Sequence, residues 1–343
     1  MKQDVKKSTG INRIENVVLM ENVSSSEHFI HKDEEPRRVL EAIDLVIKRE
    51  EAWGINGRTA FEIKLLLEII ANIRPYDSGR CVLIERGMLR NKRIILQHVF
   101  YIGSSDMLYN NMNVLEFMMF AAAKSGRSLG PDTGLKPVEL QEQLFEFILD
   151  MGLGSISLTS NALLTKEEKA VVTLLTAAKS DSMMIVFNLP EYKFDEVLTA
   201  AIAKISDFVR RKGRTLIMGT QDSLLIEKAC SHTAFIADGK IIYQGTVLDL
   251  RMSFDKIEVI VRDKDVYLML DKLAPLLPDC RLSVKDGSLL ISRGEEMLQD
   301  TAHIYKKILE AGFTPEYVEI NPKTVRNAYE ELILEHDLQN RLF

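Results

Sequence analysis

The sequence has few of the features that mark secreted or membrane-spanning proteins. Its three cysteines, Cys81, Cys230 and Cys280, lie far apart and form no CxxC motif, so neither a disulfide framework nor a cysteine-based metal site is predicted. The longest apolar runs, such as 117–123, are far shorter than the roughly 18–20 residues that a membrane-spanning helix needs. The first residues also lack the apolar segment of a signal peptide. A cytoplasmic protein without direct membrane insertion is therefore expected.

An excess of positive charge is also absent. Lys and Arg number 44 against 50 Asp and Glu, which gives a net charge of −6 over the 343 residues. This balance argues against nucleic acid as a partner, because nucleic-acid binding needs a basic field. One dense basic cluster, 210–214, ends a predicted helix, where cations favour the negative end of the helix dipole. We interpret this cluster as a solvated helix end, with a nucleic-acid site as the alternative.

The sequence does contain an alternation of helical and strand-like segments. The helical patterns at Lys166–Lys179 and 195–211 are each followed by a short apolar strand, at 183–187 and Thr215–Gly219. This alternation predicts a mostly parallel α/β core. Near the N-terminus, two strand-like segments separated by a polar loop instead predict an antiparallel edge.

From about residue 253 the pattern changes to that of a separate, smaller unit. Its segments follow the order β-α-β-β-α-β and are closed by a helix at 324–335. That order is typical of a ferredoxin-like α+β domain. The predicted organisation is thus a flexible tail at 1–15, an α/β domain at 16–250 and an α+β domain at 253–343.

A glycine turn at 54–61, with the sequence GINGRTAF, joins a predicted strand to a predicted helix. This context is typical of a phosphate-binding loop, in which backbone N–H groups surround phosphate, a lysine neutralises charge and a hydroxyl holds Mg²⁺. Here Thr59, Ala60 and Phe61 stand at the positions of the last glycine, the lysine and the hydroxyl. Taken alone, the segment is as consistent with a plain strand–turn–helix.

Further segments, in order and at matching spacing, resemble the ATP-binding subunit of an ABC transporter over residues 16–250. GINGRTAFE resembles the family's GPNGxGKTT, and LLTKEEKAVVTLLTAAKSDSMMIVFNLPEYKFD aligns without a gap with its signature helix, Walker B strand and D-loop. The resemblance implies a P-loop ABC-ATPase fold, with a mixed sheet, an antiparallel edge and a helical subdomain. The C-terminal unit resembles the extension of drug- and peptide-export ATPases, which implies an ABC-2-like exporter.

The same resemblance implies that the positions for ATP chemistry are degenerate and that no catalytic residue remains. Asn188 and Leu189 stand where Walker B has Asp and Glu, so a Mg²⁺ ligand and the general base are lost. Gln221 stands at the switch histidine, Ser104 at the Q-loop glutamine, and Asp195 retains the D-loop aspartate. The remaining positions are a vestigial phosphate loop, Gly54, Asn56, Gly57, Arg58, Thr59, Ala60 and Phe61, and a degenerate signature, Leu164, Thr165, Lys166, Glu167 and Glu168.

Two cations could in principle replace the charge of the missing lysine. Arg58 lies within the loop, whereas Lys64 lies one helical turn after Ala60, where we expect its side chain to point away from a loop-bound phosphate. Loss of one charge-stabilising group commonly costs about 10²–10³ in rate, and several are missing, so no useful hydrolysis is expected. We expect no cofactor and no metal. Weak binding of ATP and Mg²⁺ stays open, because N–H groups at a helix N-terminus attract anions without a lysine.

The sequence leaves three functional hypotheses. The first is an inactive ATP-binding-type subunit with a structural or regulatory role in transport. The resemblance then implies a membrane permease and a second ATP-binding-type subunit as partners, in a homo- or heterodimer, and a location peripheral to the membrane on its cytoplasmic side. The second hypothesis is an ABC-type ATPase that still binds ATP and slowly hydrolyses it to drive export. The third is a soluble regulatory binding protein whose C-terminal domain binds a ligand or dimerises.

Overall fold

Two units make up the chain, Met1–Thr246 and Val247–Phe343. The computed structural model describes residues 15–29, 37–87, 92–125, 137–253, 259–285, 287–293, 301–320 and 324–341. The predicted tail at 1–15 lies outside these residues except for Glu15. The sequence places the domain boundary between 250 and 253, whereas the structure assigns the helix that follows Thr246 to the second unit.

The first unit combines two main sheets with a set of helices. Its described strands are β1 (Asn16–Ser24), β2 (His28–Phe29), β3 (Arg37–Arg38), β4 (Ile43–Lys48), β5 (Ala52–Gly57), β6 (Ser78–Leu83), β7 (Arg86–Gly87), β8 (Val99–Ile102), β9 (Met184–Asn188), β10 (Thr215–Gly219), β11 (His232–Ala237) and β12 (Lys240–Thr246). Its described helices are α1 (Ala60–Ile70), α2 (Lys92–Leu96), α3 (Val114–Ser125), α4 (Pro137–Asp150), α5 (Lys166–Lys179), α6 (Glu196–Arg211) and α7 (Ser223–Ala229).

A six-stranded sheet forms the centre of this unit, in the order β12-β11-β5-β10-β9-β8. The strands from β11 to β8 run parallel, and β12 is an antiparallel edge strand. Residues alternate along β9 between two hydrophobic clusters, with Met184 and Val186 in one and Ile185 and Phe187 in the other. Both faces of the sheet are therefore covered, as parallel sheets require. The predicted parallel α/β core is confirmed.

A second sheet, in the order β4-β1-β6-β7, is antiparallel. The two N-terminal segments that the sequence identified as strands, β1 and β4, pair here, with Met20 opposite Leu45. The antiparallel pairing is as predicted, but these strands form a sheet of their own and are not the edge of the parallel one. Val18 and Leu45 share a hydrophobic cluster with Leu67 of α1, which joins the two sheets through this helix.

The helices α3 and α4 form a helical part of the unit, together with the start of α5. Met118 of α3 and Phe147 of α4 belong to the same hydrophobic cluster as Leu174 of α5. Among the described residues, no helix is both long enough and apolar enough to span a bilayer.

The second unit consists of α8 (Val247–Ser253), β13 (Val259–Arg262), α9 (Val266–Leu273), β14 (Cys280–Lys285), β15 (Ser288–Arg293), α10 (Thr301–Glu310), β16 (Tyr317–Ile320) and α11 (Val325–Arg341). Its strands pair antiparallel in the order β14-β15-β13-β16. Met269 of α9 and Ile308 of α10 share a cluster with Ile291 of the sheet, so both helices pack on it. This is the predicted ferredoxin-like arrangement.

Candidate functional site

One edge of the parallel sheet collects most of the predicted site positions. Because β5, β9 and β10 are parallel neighbours, the segments that follow them lie at the same edge, where open α/β sheets bind their ligands. A cleft of about 330 Å³ opens there. The predicted site residues that line it are Ala60, Phe61, Ser104, Asn188 and Leu189. The structure thus brings together residues that are up to 129 positions apart, from 60 to 189.

The sequence predicts a glycine turn at 54–61 between β5 and α1, but the connection in the structure is shorter. β5 continues to Gly57, which pairs with Ile236 of β11. Only Arg58 and Thr59 therefore separate the strand from the helix. Parallel pairing to β11 keeps the glycine-containing segment extended, an effect that the local sequence does not reveal.

Gly54 lies inside β5 and packs against α7. A Cβ atom added at Gly54 would lie 2.7 Å from Cγ1 of Ile226 and 3.0 Å from Sγ of Cys230. These distances leave no room for a side chain. The absence of a side chain at this position therefore allows close packing of a helix on the strand and does not shape a loop.

The backbone N–H groups around Gly57 donate to acceptors within the chain. The N–H of Gly57 donates to Oδ1 of the buried Asn56 at 2.6 Å. The N–H of Arg58 donates to the carbonyl oxygen of Ile236 at 3.0 Å. A phosphate-binding loop would direct such N–H groups at the ligand, whereas here that of Gly57 is bonded to a side chain and that of Arg58 continues the pairing with β11.

Glu62, which the sequence interpretation overlooked, lies at the N-terminal end of α1. It forms a capping box with the N-cap residue Thr59: the N–H of Glu62 donates to Thr59 Oγ1, and the N–H of Thr59 donates to Glu62 Oε2, each at 3.2 Å. The Thr59 hydroxyl also donates to Oε2 at 2.8 Å, and the N–H of Gly239 donates to Oε1 at 2.8 Å. Glu62 is only 1% exposed. A buried carboxyl group thus takes the position where a helix N-terminus attracts an anion.

The two candidate cations lie in different surroundings. Nη1 of Arg58 is 3.4 Å from Oδ2 of Asp238, whose other oxygen is 3.0 Å from Arg37. Lys64 lines the cleft together with Ala60, and the direction of its side chain relative to a loop-bound phosphate stays a prediction. Residues four apart lie on the same face of a helix, and that spacing places Lys64 beside Ala60.

Asn188 joins α1 to the sheet. Its Nδ2 group donates to the carbonyl oxygen of Lys64 at 3.0 Å and to the hydroxyl of Tyr101 at 3.1 Å. Its Oδ1 atom is buried, with no hydrogen-bond partner among the described residues. Burial raises the pKa of Tyr101, against the hydrogen bond from Asn188, which lowers it. Leu189 is 5% exposed and belongs to a core cluster, although it also lines the cleft.

Gln221 lies over the short connection between β5 and α1. Its Nε2 atom is 3.5 Å from the carbonyl oxygen of Gly57 and 3.4 Å from that of Arg58. Ser104 accepts a hydrogen bond from the N–H of Asp106 at 3.1 Å. Both side chains therefore contact the backbone around the cleft.

The predicted signature segment is the start of α5. Thr165 is the N-cap, and it forms a capping box with Glu168 in which the two N–H···O distances are 2.8 and 3.1 Å. Nζ of Lys166 is 3.6 Å from Oε1 of Glu167. Leu164 is buried. The segment has the geometry of an ordinary capped helix.

Asp195, at the D-loop position, is the N-cap of α6. Its Oδ1 atom accepts a hydrogen bond from the N–H of Leu198 at 2.8 Å. Within the described ranges, no three His, Cys, Asp or Glu side chains are grouped so that they could hold a metal ion.

No family model matches this chain, but several known ATP-binding proteins are similar to it in sequence. The glutamine transport ATP-binding protein GlnQ of Escherichia coli is 24% identical over 215 residues, which are 61% of this chain and 86% of GlnQ. The methionine import ATP-binding protein MetN of Wolinella succinogenes is 20% identical over 229 residues, 63% of this chain and 71% of that protein. A putative ABC transporter ATP-binding protein of Archaeoglobus fulgidus is 22% identical over 64% of this chain and 72% of its own length.

Solved structures agree with these relatives. The protein cbiO1 from Clostridium perfringens, part of the ABC transporter complex cbiONQ, superposes with a TM-score of 0.54 at 17% identity over 77% of this chain and 96% of cbiO1. The chain has the ABC-ATPase fold. The dimeric ATP-binding cassette MJ0796, bound to ADP and Pi, gives a TM-score of 0.51 at 14% identity over 67% of this chain and 98% of the cassette. The predicted fold class, with its mixed sheet and helical subdomain, is thereby confirmed.

Proposed function

We propose that the chain is a non-hydrolysing ATP-binding-type subunit of an ABC transporter, with a structural or regulatory role. The ABC-ATPase fold and the similarity to ATP-binding transport proteins support the transport context. Glu62 is the observation that carries the proposed inactivity. Its carboxyl group accepts two hydrogen bonds from Thr59 at the start of α1 and a third from the N–H of Gly239, so a carboxylate lies beside the segment that would hold phosphate in an active loop.

Electrostatics at this helix start oppose a nucleotide. At an effective dielectric constant of about 20, two unit negative charges repel each other by about 4 kcal/mol at about 4 Å and by less at longer distances, so a carboxylate beside the loop lowers the affinity for phosphate. Ala60 supplies no compensating charge, and Arg58 lies beside Asp238. The half-exposed aromatic ring of Phe61 stands at the position of the hydroxyl that would face Mg²⁺. These residues do not fit the phosphates of ATP with Mg²⁺.

The residues at the Walker B position support the same proposal. The Asn188 amide group donates into α1, and the side chain of Leu189 can neither hold Mg²⁺ nor accept a proton. Because each lost charge-stabilising or proton-accepting group costs about 10²–10³ in rate, a weakly bound nucleotide would still not be hydrolysed at a useful rate.

We infer that the partners are a membrane permease and a second ATP-binding-type subunit, which place the chain at the cytoplasmic side of a membrane. Support comes from cbiO1, which is part of a transporter complex, and from MJ0796, which is dimeric. The ABC-2-like exporter assignment rests on the C-terminal resemblance alone. The MetN relative is named for methionine import, so export stays a prediction.

ATP hydrolysis by the purified chain tests the proposal. The wild-type chain and the Ala60→Lys variant should both release phosphate no faster than a buffer control, because Asn188, Leu189 and Gln221 remain in the variant. Turnover by the wild-type chain would overturn the proposal. A clear gain from Ala60→Lys alone would show that the remaining positions still support chemistry.

An ABC-type ATPase that binds ATP weakly and hydrolyses it slowly is the second candidate. Lys64 favours it, because this exposed lysine lines the cleft with Ala60 and brings a positive charge to it. Under this alternative, Lys64→Met would abolish residual ATP binding, whereas Lys228→Met, at an exposed lysine of α7, would leave it unchanged.

A further inference from the structure

A second groove, of about 640 Å³, lies at the opposite edge of the parallel sheet. α5 ends shortly before β9 begins, and α6 ends shortly before β10 begins, so both helix C-termini lie at the N-terminal ends of these strands. Residues from the end of α4, including Asp150, line the groove together with residues from α6. The groove is therefore separate from the cleft at the C-terminal ends of the strands.

We call this groove the basic groove; its lining residues are Phe147, Asp150, Met151, Lys204, Phe208, Arg211 and Lys212. Apolar side chains form one part of it. The rings of Phe147 and Phe208 pack with their centroids 4.8 Å apart, and Met151 lies beside them. Nζ of Lys179 lies 4.1 Å from the centroid of Phe147 and 5.7 Å from that of Phe208. A cation at this distance from an aromatic ring is held by the ring's quadrupole without a carboxylate partner.

Three further cations line the basic groove. Nζ of Lys204 donates to the carbonyl oxygen of Asp150 at 3.2 Å, and Nζ of Lys212 lies 5.7 Å from the ring of Phe208. Nε of Arg211 donates to the backbone carbonyl oxygen of Asp207 in its own helix at 3.3 Å. Within the part of the chain that the structure describes, none of these side chains has a carboxylate within 4.0 Å.

Helix dipoles alone do not account for so much positive charge. The C-termini of α4, α5 and α6 each carry about half a negative charge, and Asp150 adds one more. Three cations, on Lys204, Arg211 and Lys212, line the groove with one carboxylate, that of Asp150, and Lys179 adds a fourth positive charge beside the rings. Burial lowers the pKa of Lys179, the repulsion from Lys212 lowers it further, and the attraction of Asp150 opposes both effects.

The last carbonyl groups of α5 already have a donor of their own. Nη1 of Arg214 donates to the carbonyl oxygen of Ala178 at 2.7 Å, and Nη2 donates to that of Ala177 at 2.9 Å. The lysines of the basic groove are therefore not required to cap α5, and their charge remains available to a ligand.

We propose that the basic groove binds an acidic, amphipathic segment of a partner protein, with carboxylates at Lys204, Arg211 and Lys212 and apolar side chains against the partly buried ring of Phe208. The chain as a whole has a net charge of −6, so an acidic partner is repelled elsewhere and attracted here, which confers specificity. A nucleic acid would need exposed aromatic faces for stacking, whereas Phe147 is 5% exposed.

Fluorescence anisotropy with a labelled peptide of Glu-Glu-Leu-Leu repeats tests this proposal. The wild-type chain should bind it, and Lys204→Glu/Lys212→Glu should weaken binding at least about tenfold. Lys228→Glu, at an exposed lysine in the last turn of α7, is the matched control and should bind like wild type. Thermal unfolding of all three proteins checks that the exposed substitutions leave the fold intact.

Three results with peptides, and a fourth with phosphate ligands, would overturn the proposal. The first is no binding by the wild-type chain, and the second is equal binding by the double variant. The third is equal binding of a Gln-Gln-Leu-Leu peptide, which would show that charge is not recognised. If inorganic pyrophosphate or phosphatidylserine vesicles displaced the peptide and bound more tightly than it, the ligand would be a phosphate and not a protein segment.

Discussion

The helices α1 and α5 begin with the same motif in different surroundings. Each has a threonine N-cap and a glutamate three residues later, Thr59 with Glu62 and Thr165 with Glu168. Glu62 is buried and also accepts the N–H of Gly239, 177 residues away, whereas Glu168 lies near the surface and serves its own helix. A capping box is thus a local helix signal at α5, but at α1 it also fixes distant backbone and fills an anion position.

The difference between the two capping boxes should be largest when each glutamate is replaced in turn. Glu62→Ala removes a cap, worth about 1 kcal/mol, and leaves the buried N–H of Gly239 unpaired at a further cost of about 1–3 kcal/mol. We therefore expect the free energy of unfolding to fall by about 2–4 kcal/mol in urea titration. Glu168→Ala should lower it by only about 0.5–1 kcal/mol. Equal losses would contradict the difference between the two boxes.

The substitution Asn188→Asp, which restores the Walker B carboxylate, tests how the sheet packs against α1. Asn188→Asp places a carboxylate oxygen against the carbonyl oxygen of Lys64, which now accepts a hydrogen bond from the Asn188 amide. We expect a loss of about 1–3 kcal/mol in unfolding free energy. Asn188→Leu removes the donor without adding a charge and should cost less. An Asp variant as stable as wild type would show that this position still tolerates a Mg²⁺-binding carboxylate.

The smallest effect is expected at the other end of α5, at Lys179. A lysine whose pKa is lowered in the folded state destabilises that state while protonated, and the penalty fades as pH rises from the folded pKa to the unfolded pKa. Lys179→Met should therefore raise unfolding free energy near neutral pH, by less than about 1 kcal/mol after solvent screening. Chemical denaturation at increasing pH should show this advantage shrinking, and Lys228→Met should show no such trend. An advantage that grows with pH would contradict the assignment.

Local sequence patterns predict those elements that local forces determine. α5 and β10 have the expected bounds, because a capped amphipathic helix and a short apolar strand need no distant information. The helical spacing of apolar residues from 60 to 73 predicts a helix up to Ile73, but α1 ends at Ile70, and Asn72 adopts a positive φ of 59°. β8 was missed, since an edge strand of four residues with three half-buried side chains carries little pattern.

The candidate site shows the same division between local and distant effects. The order of the parallel strands explains why Ser104 and Asn188 meet the start of α1. The Thr59-x-x-Glu62 pattern is readable in the sequence as a capping box. The hydrogen bond from Gly239 to Glu62 joins residues far apart in the chain. The extension of β5 likewise depends on pairing with the distant strand β11. No local sequence pattern reveals either contact.

The most direct test of the central claim is calorimetric titration of the purified chain with ATP and ADP, with and without Mg²⁺. If Glu62 fills the anion position and Ala60 supplies no charge, no binding heat should appear up to about 1 mM nucleotide, which corresponds to a binding free energy weaker than about −4 kcal/mol. Micromolar binding that depends on Mg²⁺ would contradict the account.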